Sequence, residues 1–169
     1  MGEKVETTTG KRNTQMSIKN EIKNAFIARL RTITSANGYS TGVVAVYDDR
    51  LPMGISLETH ELPAIIAIAG EDRIEPKGQN RIYCEWMFYL QLIHGDVTDD
   101  VMFQFAGDVG KAIFANSPTA DRQDEFRTLH SSIYQMDILE IEPDLNMIEA
   151  NRFMVMSLKI KYVTKYNSL

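Results

Sequence analysis

A single cysteine, Cys84, stands in 169 residues, so no disulfide framework can staple this chain. That usage fits a reducing compartment, and it fits a secreted chain with a buried thiol almost as well; the cytoplasm is the expectation. Histidine is as scarce: His60, His94 and His130 show no CxxC, HxxxH or HExxH spacing, so neither metal nor cofactor is expected. Cations are outnumbered, 18 Lys and Arg against 23 Asp and Glu for a formal net charge of −5. This argues against gripping phosphates as the main task, because that affinity comes from clustered Lys and Arg releasing counterions. The longest apolar runs, residues 64–69 and 86–90, fall far short of the roughly 18–20 residues that span a bilayer. No apolar segment follows the basic residues of the N-terminus, so neither a span nor a signal peptide is expected. GxSxG and GxxxxGK[ST] are missing too, which removes the nucleophile elbow and the phosphate loop. The carboxylate pairs Asp48-Asp49, Asp99-Asp100 and Glu140 with Glu142 stand where turn or cap chemistry accounts for them. No catalytic residue is assigned.

What remains is a chain 44% hydrophobic and 24% charged, the composition of one ordinary globular domain. Residues 1–15 contain Val5 as their only apolar side chain after the initiator, too little to offset ordering entropy, and read as a flexible arm before a single domain over 16–169. From Ser17, an N-cap, apolar residues at 18, 22, 25, 26, 30 and 33 predict a helix that stops before Gly38. Its other face carries Lys19, Lys23, Arg29 and Arg31, a solvated surface in the plainest reading. Thr41 to Tyr47 reads as a strand, Leu51 to Leu62 as a long connection, and Pro63 to Ala69 as a central strand apolar on both faces. Ile82 to Ile93 alternates cleanly: Ile82, Cys84, Trp86, Phe88 and Leu90 form a core face, and Tyr83, Glu85, Met87, Tyr89 and Gln91 an amphipathic one. That second face suits either plain solvation or cover by another chain.

A second helix is expected from Thr98 or Asp99 to about Ala115. Phe103 and Phe114 lie off its main stripe with Gly107 and Gly110 between them, a strip that predicts a second packing partner, either the first helix or a neighbouring subunit. Strands are expected at Ile133 to Ile141, where the alternation slips at Leu139 and Glu142-Pro143-Asp144 ends it, and at Arg152 to Thr164. The segment Glu71 to Arg81, charged and rich in turn formers, reads as a projecting loop. The order helix, three strands, helix, two strands implies an α+β fold, one mainly antiparallel sheet of about five strands with two helices packed on one face.

As a whole the pattern resembles the tail terminator proteins of long-tailed bacteriophages and their relatives among head-tail joining proteins. The resemblance rests on the first helix from Ile18 to Ile33, the strand Pro63-Ala64-Ile65-Ile66-Ala67-Ile68 and the charged hairpin into Arg81-Ile82-Tyr83-Cys84-Glu85-Trp86-Met87-Phe88. The short second helix and the closing Leu158-Lys159-Ile160-Lys161-Tyr162-Val163-Thr164 complete it, over about residues 16–166. The arm before Met16 departs from the family's usual short N-terminus. The resemblance implies a non-enzymatic virion protein assembled in the host cytoplasm and placed at the tail-neck junction. Such proteins form a homohexameric ring that caps the tail tube, stops its polymerisation and meets the head-tail connector, with the sheath as a further partner in contractile phages and DNA passing through the lumen without specific binding. On that footing the interface residues are Asp72, Arg73, Glu75, Lys77 and Arg81 of the loop and Phe103 and Phe114 of the second helix. A different neck or tail-tube component of similar fold, or a small α+β enzyme, is the alternative.

Overall fold

Helix α1 (Ile18–Leu30) starts where Ser17 Oγ accepts the Asn20 N–H, and its apolar period buries Ile22, Phe26, Ile27 and Leu30. It stops one turn earlier than the spacing predicts. The Thr32 hydroxyl donates to the Arg29 carbonyl, β-branched residues follow, and Thr34 is extended. Ile33 is buried nonetheless, and Gly38, at φ +80°, ends the following 3-10 turn (Ser35–Asn37) rather than α1. The computed structural model describes residues 17–49, 57–76, 81–114, 129–148 and 151–165. The N-terminal arm, Lys77 and the polar stretch 115–128 lie outside the described residues.

Five strands form one sheet in the order β1-β2-β3-β5-β4: β1 (Ala45–Asp48), β2 (Ala64–Pro76), β3 (Ile82–His94), β4 (Ile133–Ile148) and β5 (Asn151–Thr164). Every pairing is antiparallel except β1 with β2. Helix α2 (Asp99–Phe114) packs with α1 on one face: both helices share a cluster with Ile82, Cys84, Trp86, Phe88, Leu90 and Leu92 of β3. This is the expected α+β architecture. Phe26 meets Phe88 edge to face at 4.9 Å between ring centroids. The opposite, open face has cover from the described residues only at one end, where Leu57 and Leu62 of the connection pack on Ala64, Ile66 and Ile93.

Strand limits differ from the sequence reading in ways that hydrogen bonding explains. The central strand is β3, with neighbours along its whole length; β2 is interior only as far as β1 reaches, at Asp48↔Ala67. Residues 41–43 stay outside β1 because the Thr41 N–H is engaged with the Asp108 carboxylate and the Val43 N–H with the Ile33 carbonyl, whereas the Val44 N–H already bonds Pro63 O at the start of β2. Strand β4 does not end at Glu142 but runs through Pro143, paired with Met154, to Ile148. Proline is tolerated there because β4 is an edge strand whose outer side needs no ladder donor.

The largest correction concerns Glu71 to Arg81. Residues 71–76 are the outer half of β2, paired with β3 from Asp72↔Trp86 to Pro76↔Ile82, and only the stretch beyond Pro76 is left as the connection. A bulge between Ala69 and Asp72 inserts one residue and reverses the alternation. Asp72 and Ile74 therefore stand on the helix face, and Arg73 and Glu75 on the open face opposite Glu85 and Tyr83. Gly70 makes the bulge possible: a Cβ there would stand 2.6 Å from Tyr89 Cε2 and 2.9 Å from the Met87 carbonyl oxygen.

Candidate interaction surfaces

Buried polar groups serve the interior. The Cys84 thiol lies beside the Tyr162 hydroxyl, both side chains nearly inaccessible, and burial raises both above their ordinary titration range. A thiol held protonated in this way is packing material rather than a nucleophile. Burial lowers the pKa of His94, whose Nδ1 accepts the Gly95 N–H and whose ring meets Phe105 edge to face. His130 spans from the entry of β4 to Glu21 of α1, 3.2 Å away, and its Nδ1 accepts the Ser132 N–H. Among the described residues no three His, Cys, Asp or Glu converge as a metal site, and no helix is long and apolar enough to cross a membrane. An open cavity of about 730 Å³ at the strand ends is lined by Ile18, Arg81, Ser131, Ser132, Tyr134 and Lys165, among others. Its described lining holds hydroxyls and cations and no carboxylate, thiol or imidazole.

The loop residues expected to act together divide between surfaces. Asp72 is turned inward to α1, where it accepts from Lys19 Nζ at 2.6 Å while that ammonium lies 4.8 Å from the Trp86 ring centroid. Lys23 pairs with Asp48 of β1 and Arg31 donates to the Val46 carbonyl, so Lys19, Lys23 and Arg31 of the basic face all tie the helix to the sheet. Arg73 and Glu75 remain exposed on the open face, and Arg81 is exposed at the cavity mouth. Lys77 lies outside the described residues.

The strip on α2 is not packed on α1. Phe103 is 54% exposed, and a Cβ on Gly107 would meet nothing within 4 Å; on Gly110 it would just touch Ile138 Cδ1 at 3.9 Å. Phe114 is partly buried against the main core. The reason is placement: α2 crosses β5 toward β4, with Asp99 paired to Arg152 at its start and Gly110 over Ile138 further along. The strip thus looks outward over the β4 edge. Phe103, two turns back from Gly110, and Ile141, three residues beyond Ile138, are displaced in the same direction by about 10 Å each.

Sequence reasoning passed over β4 itself. Tyr134, Leu139 and Ile141, exposed by 45%, 49% and 40%, stand on this edge strand beside Glu140 and Glu142, whose carboxylates lie close enough that hydrogen bonding and repulsion from Glu142 raise the Glu140 pKa. The signal was the slip in alternation at Leu139, which is a bulge between Ile138 and Glu140. Along the open face, Tyr83 to Gln91 of β3 and Val155 to Val163 of β5 are half-buried without a covering helix among the described residues.

No family model matches the chain, and no curated protein does. Its fold is similar to that of a chain in the solved "Virion of native gene transfer agent (GTA) particle", with a TM-score of 0.55 over 87% of this chain and 98% of that chain, at 11% identity. At that identity the likeness is one of fold.

Proposed function

We propose that this chain is a non-enzymatic structural component of a phage-like particle, and within it a tail terminator. It forms a homohexameric ring at the head-proximal end of the tail tube, stops tube growth and joins the tail to the head connector. The observation that carries this reading is the fold likeness to a virion chain over nearly the whole of both chains. The surfaces suit it: a ring closed by one repeated heterologous contact needs two different complementary patches per subunit. The sheet offers an outer β2 segment at one edge and β4 at the other. Net negative charge also suits a ring through which DNA slides, since each phosphate-neutralising cation adds affinity.

Native mass spectrometry of the protein with purified tails, and imaging of the particles, test the reading. A six-membered ring at one tail end is expected, with overlong tails when the gene is deleted; a two-fold dimer, or absence from the particle, overturns it. Another neck or tail-tube component of similar fold is the second reading. Unlimited stacking of the rings into tubes would favour that alternative.

A further inference from the structure

The two ends of the sheet differ in a way that specifies their contact. At one end β1 pairs with β2 only as far as Asp48↔Ala67, so among the described residues the outer half of β2 has β3 on one side and a bare edge on the other. At the opposite end β4 has β5 on one side and, among the described residues, no further strand. Bare edges are templates for another strand unless they are covered. Both carry an exposed isoleucine on the helix face: Ile74, 53% exposed, stands opposite Cys84, and Ile141 opposite Met156. On the open face Ile74 is flanked by Arg73 and Glu75, and Ile141 by Glu140 and Glu142. Arg73 has no ion-pair partner among the described residues, while Glu140 and Glu142 crowd each other.

We infer that copies of this chain join sheet to sheet, the outer half of β2 in one copy pairing antiparallel with β4 of the next, Ile74 against Ile141 and Arg73 against Glu142. The inference rests on the ring reading above and adds which surfaces close it. Strand directions agree: β2, β3, β5 and β4 alternate, so β4 of a copy related by rotation runs opposite to β2. Face assignments agree as well, since a rotation about the ring axis keeps the helix faces on one side. In this register Arg73 is opposite Glu142 and Glu75 opposite Glu140; the second is a like-charge pair, which Arg73, diagonal to Glu140, offsets.

Closure is geometrically reasonable. Within one subunit Ile141 is level with Ala67, through Met156 and Leu90. Setting it beside Ile74 advances the next copy by roughly 20 Å along the strands across four strand spacings, about 19 Å. The strands then tilt about 45° from the ring axis, at the upper end of the range for closed sheets.

The test uses the full chain, in which Cys84 is buried. Ile74→Cys and Ile141→Cys are prepared as separate variants and mixed with a short bifunctional thiol reagent; directly opposed strand residues have Cβ atoms within about 5.5 Å. A covalent dimer in the mixture, absent from either variant alone, is expected, together with a ladder up to the full ring from the double variant. A ring seen by imaging without that link, or equal linking within one variant alone, overturns this contact while leaving the proposed function standing. Absence of any ring in the unmodified protein overturns both. As an independent measurement, Arg73→Glu should weaken ring formation about tenfold or more, and Arg73→Glu with Glu142→Arg should recover most of it. Unchanged assembly in Arg73→Glu contradicts the inference.

Discussion

The two halves of β2 are one strand in the ladder and two different surfaces in every other respect. From Ala64 to Ala67 it has a strand on each side, helices over one face and the Leu57–Leu62 segment over the other, and all four residues are buried. From Asp72 to Pro76 it has, among the described residues, β3 as its one strand neighbour, with the N-terminal turn of α1 reaching it through Lys19 and Asp72. The inner half is held by burial on both faces. Pairing with a long, fully formed neighbour holds the outer half, together with a bulge that sets its parity. Strand conformation therefore needs no hydrophobic run where the partner strand is already fixed, and the outer half is left available for contacts outside the subunit.

Substitutions in each half should separate these two sources of order. Ile65→Ala, in the fully covered half, should lose about 2–5 kcal/mol of unfolding free energy, since truncating a buried aliphatic side chain leaves a cavity as well as a transfer loss. Chemical denaturation of the isolated subunit reads it. A loss under 1 kcal/mol would mean that the inner half is covered less completely than its burial indicates.

At the junction, Gly70→Ala should cost about 1–3 kcal/mol by overpacking. The Tyr89 ring can swing away from the new methyl, but the Met87 carbonyl belongs to the central strand and cannot. If the variant is as stable as the parent, the bulge is a pliable hinge and the parity of the outer half is not pinned by it.

In the outer half the Lys19–Asp72 pair is partly exposed, and a double-mutant cycle with Lys19→Met and Asp72→Asn should give a coupling of roughly 0.5 kcal/mol, as such pairs do. It should shrink as salt rises. Smallest of all, Ile74→Thr should leave the isolated subunit within about 0.5 kcal/mol of the parent, because its side chain is mostly in water. The same change is expected to weaken assembly, and parity between the two effects would dissolve the contrast between the halves.

Much of the fold could be read directly from residue patterns. The alternation of β3 and β5, the amphipathic period of α1 and the acidic first turn of α2 each follow from requirements that act within a few residues. The candidate surfaces were less legible. Asp72 and Arg73 are adjacent in a charged stretch, and nothing local states that a bulge two residues earlier sends one to α1 and the other to the open face. Phe103 and Phe114 share a strip, yet one meets water and the other the core, because α2 lies obliquely across β5 and β4. The break in pattern at Leu139 was visible, but its meaning, an edge strand that bulges and continues through Pro143, depends on having β5 on one side only.

What this sequence determined by itself is therefore the set of elements, their buried faces and the absence of recognisable catalytic or metal-binding motifs, since composition and short-range periodicity express solvent exclusion residue by residue. Tertiary structure alone decided where β2 loses its outer neighbour, which face each charge of the hairpin takes and which apolar side chains are left uncovered. Those are outcomes of register and of packing between segments distant in the chain, where one inserted residue reverses every side chain that follows it.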